Sequence, residues 1–206
     1  MDSKLAIKQL KAINNLNKTK KGVMEMRLAA QWPRKYEMLI ATILSAQTRD
    51  EVTIEVCEVL FKKYPGMKDL ANANPIDVLK IIRKVNYSPT KTRRIIQTAK
   101  MVIVDGGIIP NTLEELIKFP GIGRKVANVY LVEACKADAI GVDTHVARIS
   151  FKLGWTNNKN PNKIEKDLEK LFPKKYWKQI NEILVRFGKS YGLSRKREDE
   201  VLENLK

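Results

Sequence analysis

The sequence predicts an all-α protein, and three observations lead there. Apolar residues recur at helical spacing along nearly the whole chain. Several of these runs open on recognisable cap sequences. No run alternates apolar and polar residues in the way a half-buried strand requires. The reading is about ten helices joined by short links, with no internal repeat.

Taken in order, Met38, Leu39, Ala41, Thr42, Ile43 and Leu44 make a nearly all-apolar helix, placed at the centre of a domain. Thr48-Arg-Asp-Glu51 reads as a capping box, opening a helix to about Leu60 that buries Val52, Val56, Val59 and Leu60. Asn74-Pro75 supplies a cap and a proline at the first helical position, ahead of Val78, Ile81 and Ile82. Thr90 is expected to cap a basic helix carrying Ile95, Ile96 and Ala99. Thr112-Leu-Glu-Glu115 is a second capping box, and Pro120 halts its short helix. An apolar helix then runs from Val126 to Cys135. Asp143 is placed to cap a helix through Leu153, and Asn160-Pro161 opens one with Ile164, Leu168 and Leu171 on one face. Tyr176 to Phe187 and a weaker Glu198 to Leu205 complete the set. Residues 18–22 and 154–161 are the most loop-like, and neither is long enough for a flexible interdomain linker.

At 206 residues the chain suits one domain or two small interlocked ones. Lys and Arg number 39 against 23 acidic residues, a net charge of +16. Such an excess favours a polyanionic partner, because neutralised phosphates release condensed counterions, although it also fits a solvated lysine-rich surface. No apolar run approaches the roughly 20 residues that span a bilayer, and the N-terminus lacks a secretory h-region. An intracellular protein without a membrane segment is therefore expected, in the cytoplasm or nucleoid if the cell is prokaryotic. Cys57 and Cys135 stand alone, so no metal cluster is visible and both read as small buried hydrophobes.

The most informative stretch is Phe119-Pro-Gly-Ile-Gly-Arg-Lys-Val-Ala-Asn128. Gly121 and Gly123 allow a sharp turn and a close backbone approach, and Arg124 and Lys125 fall in the first turn of the next helix. Unpaired N–H groups and the positive dipole end favour an anion there. A helix on each side makes a helix-hairpin-helix, which suits one DNA phosphate and reads no sequence. A lone G-x-G also occurs in ordinary helix corners.

Lys125 precedes Asp143 by eighteen residues. An amine attacks in its free form, and a helix N-terminus, the charge of Arg124 and partial burial all act towards that form. A carboxylate close by would act the other way, so Asp143 serves another purpose, stabilising positive charge at a sugar C1′ or accepting a proton. On residue chemistry alone, Lys125 as a surface charge and Asp143 as a simple N-cap stay open.

Residues 119–128 and 142–148 (Val-Asp-Thr-His-Val-Ala-Arg) resemble the helix-hairpin-helix and Gly/Pro-rich-Asp signature of the endonuclease III family of DNA glycosylases. Ile43-Leu-Ser-Ala-Gln-Thr-Arg-Asp50 resembles the family's upstream segment, in matching order and spacing. The resemblance runs from about residue 25 to residue 190. It implies the family's two-lobed helix-hairpin-helix fold: a six-helix domain over 27–137 and a second lobe from 1–26 and 138–206, the active site in the cleft between them.

In that family the hairpin-associated lysine attacks C1′ of a flipped damaged nucleotide, expels the base and forms a Schiff base; elimination of the 3′ phosphate then nicks the strand. Lys125 matches this nucleophile and Asp143 the aspartate that assists base loss. Members that only excise carry another residue at the lysine position, so Lys125 implies a bifunctional glycosylase/AP lyase. Gln47 matches a glutamine that fills the gap left by the flipped base. Tyr87, within Asn86-Tyr87-Ser88, falls at the second intercalating loop, where close relatives carry an aliphatic wedge. Gly121, Gly123 and Arg124 are the hairpin's DNA contacts. His145 reads as structural, bonding within its helix start.

The implied partner is double-stranded DNA with damaged bases or abasic sites, bound by a monomer. Most relatives hold an iron–sulfur cluster on four closely spaced cysteines near the C-terminus, whereas the stretch Phe187–Arg197 contains none. No cluster and no other cofactor is therefore expected, and Lys189, Arg195, Lys196 and Arg197 offer basic contacts to DNA instead. Oxidised pyrimidines are the expected substrates. The alternatives are oxidised guanine or mismatched or deaminated bases on the same fold, and a hairpin module that binds DNA without chemistry.

Overall fold

The computed structural model describes residues 2–192 and 194–205, and every regular element among them is helical. In chain order these are α1 (Ser3–Thr19), α2 (Lys35–Ser45), α3 (Asp50–Lys63), α4 (Met67–Ala71), α5 (Pro75–Ile82), α6 (Ser88–Val104), α7 (Leu113–Leu116), α8 (Arg124–Cys135), α9 (Thr144–Lys152), α10 (Pro161–Leu171), α11 (Trp177–Tyr191) and α12 (Arg195–Glu203). A 3-10 turn, Lys174–Tyr176, leads into α11. None of the helices described is long and apolar enough to cross a membrane. The chain divides into two compact units, Arg27–Lys136 and Met1–Met26 with Ala137–Lys206.

In the unit of residues 27–136, α2 is the central helix, and Leu39, Ile40, Ala41, Ile43 and Leu44 are all buried. Its start is fixed by Arg34 and Glu37: Nη2 of Arg34 donates to Oε1 of Glu37 at 2.6 Å, and Oε2 accepts from Arg34 N at 3.2 Å. Helices α3, α6 and α8 pack against α2, and α4 and α5 lie on α6. The Asn74 cap forms, with Oδ1 accepting from Ile76 N at 2.9 Å. So does the Thr112 box, in which Oγ1 accepts from Glu115 N at 3.4 Å and donates to Glu115 Oε2 at 2.6 Å.

Three local expectations fail here. α3 begins at Asp50 with Arg49 in the cap position and no side-chain cap, so Thr48 does not open it. Val59 is 54% exposed, and Thr53, Cys57 and Phe61 take the buried positions instead. α6 starts at Ser88, leaving Thr90 inside the helix rather than at its cap. Proline at position 89, in the first turn, is preset for the helical φ and has no N–H to lose there.

The other unit joins the two ends of the chain. α1, a helix that the cap and spacing signals did not mark, is capped by Asp2 and presents Ala6, Leu10 and Ile13 to a core with Val146, Ile149, Leu168 and Phe187. Asn17 donates to the carbonyl of Ile183 at 2.9 Å, tying α1 to α11. Arg186 of α11 is buried and donates from Nη1 to the carbonyls of Val23 at 2.8 Å and Met26 at 2.7 Å. That guanidinium satisfies backbone that would otherwise lie unpaired as the chain leaves α1.

Candidate nucleic-acid interface and catalytic residues

The hairpin between α7 and α8 is held from both sides. Ile122 is buried and its N–H donates to Phe119 O at 3.1 Å, while Thr98 of α6 donates to Pro120 O at 3.1 Å. The two glycines differ in why they are glycine. Gly121 has φ +83°, and a Cβ there would stand 2.8 Å from Cδ of Arg94 and 3.3 Å from Cγ2 of Ile43. Gly123 has φ −88° as the N-cap of α8, and a Cβ there would meet nothing within 4 Å. The fold thus demands glycine at 121, whereas at 123 it leaves a bare backbone facing open space.

Arg124 is exposed and Lys125 half-buried, in the first turn of α8 where backbone N–H groups point out of the helix end. Asp143 belongs to the other unit. It caps α9, with Oδ1 accepting from Val146 N at 2.8 Å, and it is half-buried. The second carboxylate oxygen is not engaged by this cap. His145, the second residue of α9, sets Nδ1 3.3 Å from Nη2 of Arg148. Gly188 of α11 gives it room, since a Cβ there would lie 2.2 Å from that nitrogen.

Gln47 and Tyr87 are both exposed and both left-handed, with φ of +56° and +58°. Only one other non-glycine residue described, Lys136, has a positive φ. Each such backbone costs on the order of 1 kcal/mol unless its surroundings hold it. Asn86 joins the two loops: its amide Nδ2 donates to Gln47 O, and its N–H donates to Thr48 Oγ1 at 3.2 Å. Thr48, expected as a helix cap, therefore serves as a cross-loop acceptor. The structure brings Gln47 and Tyr87 onto neighbouring loops of one unit.

A model of the HhH-GPD superfamily of base excision DNA repair proteins matches residues 40–174. The endonuclease III of Thermotoga maritima is 41% identical over 155 residues, covering 75% of this chain and 73% of the relative. The chain belongs to the HhH-GPD superfamily. An endonuclease III from Synechocystis is 33% identical over 195 residues, covering 94% of this chain and 89% of the relative. A solved structure of a trapped endonuclease III–DNA covalent intermediate superposes with a TM-score of 0.85 at 29% identity, covering 95% of this chain and 90% of that one. The chain is a DNA glycosylase of base excision repair with the superfamily's all-α fold.

Against that family background the cysteines stand out. An iron–sulfur cluster of the four-cysteine kind needs four thiolates. This superfamily member has two cysteines in all, Cys57 buried in α3 and Cys135 half-buried at the end of α8. Its residues do not fit such a cluster. Among the described residues no group of three or more His, Cys, Asp or Glu side chains gathers as metal ligands. Burial pushes the Cys57 thiol up, away from thiolate.

Two constellations escaped the sequence reading. Glu198, expected at the start of a weak helix, is 1% exposed and is gripped by Arg148 and Lys152 of α9. Lys91, inside a stretch read simply as basic, is buried at 3% exposure beneath the Gln47 loop. One signal was available for Lys91: it falls four residues before Ile95, on the apolar stripe of α6 rather than on its polar side.

Proposed function

We propose that this DNA glycosylase is bifunctional, a base excision and abasic-site lyase enzyme acting on duplex DNA, with oxidised pyrimidines as substrates. Lys125 is the nucleophile. Its Nζ bonds to C1′ of the flipped nucleotide as the glycosidic bond breaks, and the base leaves with the electron pair and takes up a proton. Loss of the ring oxygen's bond to C1′ gives the Schiff base. Removal of a C2′ proton then expels the 3′ phosphate, and water releases Lys125 from the imine. Asp143 assists base loss by stabilising positive charge at C1′, using the carboxylate oxygen that does not cap α9.

Gly121, Gly123 and Arg124 form the phosphate clamp, and the open space at Gly123 supports this, because the fold has no steric need for glycine there. Gln47 fills the gap left by the flipped base, and Tyr87 is the partner wedge from the second loop. We read the two units as the family's two lobes, and the enzyme as a monomer working inside the cell without an iron–sulfur cluster or other cofactor. The observation that carries the reading is Lys125 in the first turn of α8, directly behind the hairpin.

Borohydride trapping tests it, on one duplex with a single oxidised pyrimidine and another with an abasic site. Covalent bands on both are expected. A band on the abasic duplex alone would keep Lys125 and reject the pyrimidine substrate. Binding to DNA with no band on either would reject the lyase.

A further inference from the structure

Residues 45–48 form a tight turn in which Thr48 N donates to Ser45 O at 3.0 Å. Ala46 has φ −56° and ψ 118°, and Gln47 has φ +56°. These angles are those of a type II turn, whose third position ordinarily takes glycine or asparagine. Type I and type II turns differ chiefly in the orientation of the peptide between their two central residues, here Ala46–Gln47. If that peptide flips, the third residue moves to a negative φ and its side chain points elsewhere.

Lys91 holds this peptide. Its ammonium reaches up from α6 and donates to Ala46 O, to Leu44 O at 2.7 Å and to Thr48 Oγ1 at 3.1 Å. Three donors meet three acceptors, and no carboxylate pairs with the group among the described residues. Asn86 holds the other side of the residue through Gln47 O. Burial, then the charge of Arg94, brings the Lys91 pKa down to about 8, so the buried ammonium is maintained against a desolvation cost. An apolar side chain would fill this position in the α6 stripe with no such cost. The lysine is accounted for by what it does to the turn.

We propose that Lys91 is a positioning residue for base flipping: its ammonium fixes the Ala46–Gln47 peptide so that the Gln47 side chain is directed into the gap opened in the duplex. This rests on the assignment of Gln47 as the gap-filling residue. Lys91 touches neither DNA nor the reacting atoms in this role.

The test uses a duplex with a stable abasic-site analogue opposite 2-aminopurine, whose fluorescence reports the surroundings of the orphaned base. The full chain, Gln47→Ala, Lys91→Met and Thr48→Val are compared at saturating protein, each with its affinity and thermal midpoint measured. The native protein should change the fluorescence, and Gln47→Ala should lose most of that change. Lys91→Met should lose it to a similar extent, while affinity stays within about threefold, since one buried lysine adds little to the phosphate contacts. Lys91→Met should also slow single-turnover base excision at least tenfold, yet nick a preformed abasic site within about threefold of native, because no stacked base must be extruded.

A native-like signal from Gln47→Ala would reject the gap-filling assignment and the proposal with it. Loss with Gln47→Ala but a full signal from Lys91→Met would overturn the Lys91 role alone. Should Lys91→Met fail to fold, Thr48→Val decides: it keeps the side-chain volume and removes an acceptor that the ammonium shares with the Asn86 N–H. A partial loss of signal supports the proposal, and a full native signal overturns it.

Discussion

Arg148 of α9 grips Glu198 of α12 with two hydrogen bonds, from Nε to Oε1 at 3.0 Å and from Nη2 to Oε2 at 2.8 Å. Lys152 adds a third to Oε1 at 2.7 Å and also pairs with Asp199 at 2.6 Å. The carboxylate is buried, while both cations keep partial contact with solvent. One turn of α12 is thereby fastened to the helix that Asp143 caps.

Glu198→Ala should destabilise the protein by about 2–3 kcal/mol, since removing one partner leaves two cations without their buried counter-charge. The partial exposure of those cations keeps the loss below the roughly 3–5 kcal/mol that breaking a fully buried pair costs. Denaturant unfolding of the two proteins checks this, and a difference under about 0.5 kcal/mol would contradict it.

The same group sets an acid limit. Burial alone would raise the Glu198 pKa, but the hydrogen bonds and charges of Arg148 and Lys152 outweigh it and bring it below the usual glutamate value. A carboxylate whose folded pKa is depressed adds stability above its unfolded pKa and loses it as pH falls through the folded one. The gap in stability between native protein and Glu198→Gln should therefore be full at neutral pH and shrink below about pH 4.5. Unfolding curves at a series of pH values give the comparison.

The hairpin glycines should separate folding from binding. Gly121→Ala should cost roughly 2 kcal/mol or more, from a positive φ and the crowding against Arg94 and Ile43. Gly123→Ala should change stability by less than about 1 kcal/mol, having neither handicap. It should still weaken DNA binding several-fold, because the added methyl occupies the space a phosphate would enter. Equal stability losses at the two sites would refute this division.

Lys125→Gln should abolish borohydride trapping and leave DNA affinity within a few-fold of native. Asp143→Asn should fold normally, since asparagine caps a helix as well as aspartate does, but release the base at least tenfold more slowly. Asp143→Ala should lose the cap as well, at about 1 kcal/mol. Undiminished nicking by either Lys125→Gln or Asp143→Asn would remove its assigned role.

Binding should also fall steeply with salt. Neutralising six or more phosphates predicts a loss of at least about a thousandfold between 50 and 200 mM. A flat profile, read from fluorescence anisotropy, would mean the +16 charge is a solvated surface and not a DNA footprint.

Much of this protein is written locally, and that part could be read from the residues. Asn74-Pro75, Thr112, Asp143 and Asn160-Pro161 mark helix starts because a cap is satisfied within three residues of itself. The Gly121 turn and the basic first turn of α8 are local for the same reason. The all-α fold followed from apolar spacing, since a helix makes its backbone hydrogen bonds within one segment. α1 could have been read too: Ala6, Leu10 and Ile13 keep helical spacing, but in a run rich in lysine and asparagine that stripe carries little weight on its own.

Tertiary structure decided the rest, wherever one group's partner lies tens of residues away. Thr48 looked like a cap, yet a lysine 43 residues on and an asparagine 38 residues on compete for its hydroxyl and win. Glu198 looked like the start of a weak terminal helix, and its burial depends on two cations of α9, about 50 residues earlier. Lys91 looked like one more cation in a basic chain. Only packing α6 against α2 buries its ammonium under the open carbonyls that end α2, where the strongest available contact is with the backbone that aims Gln47.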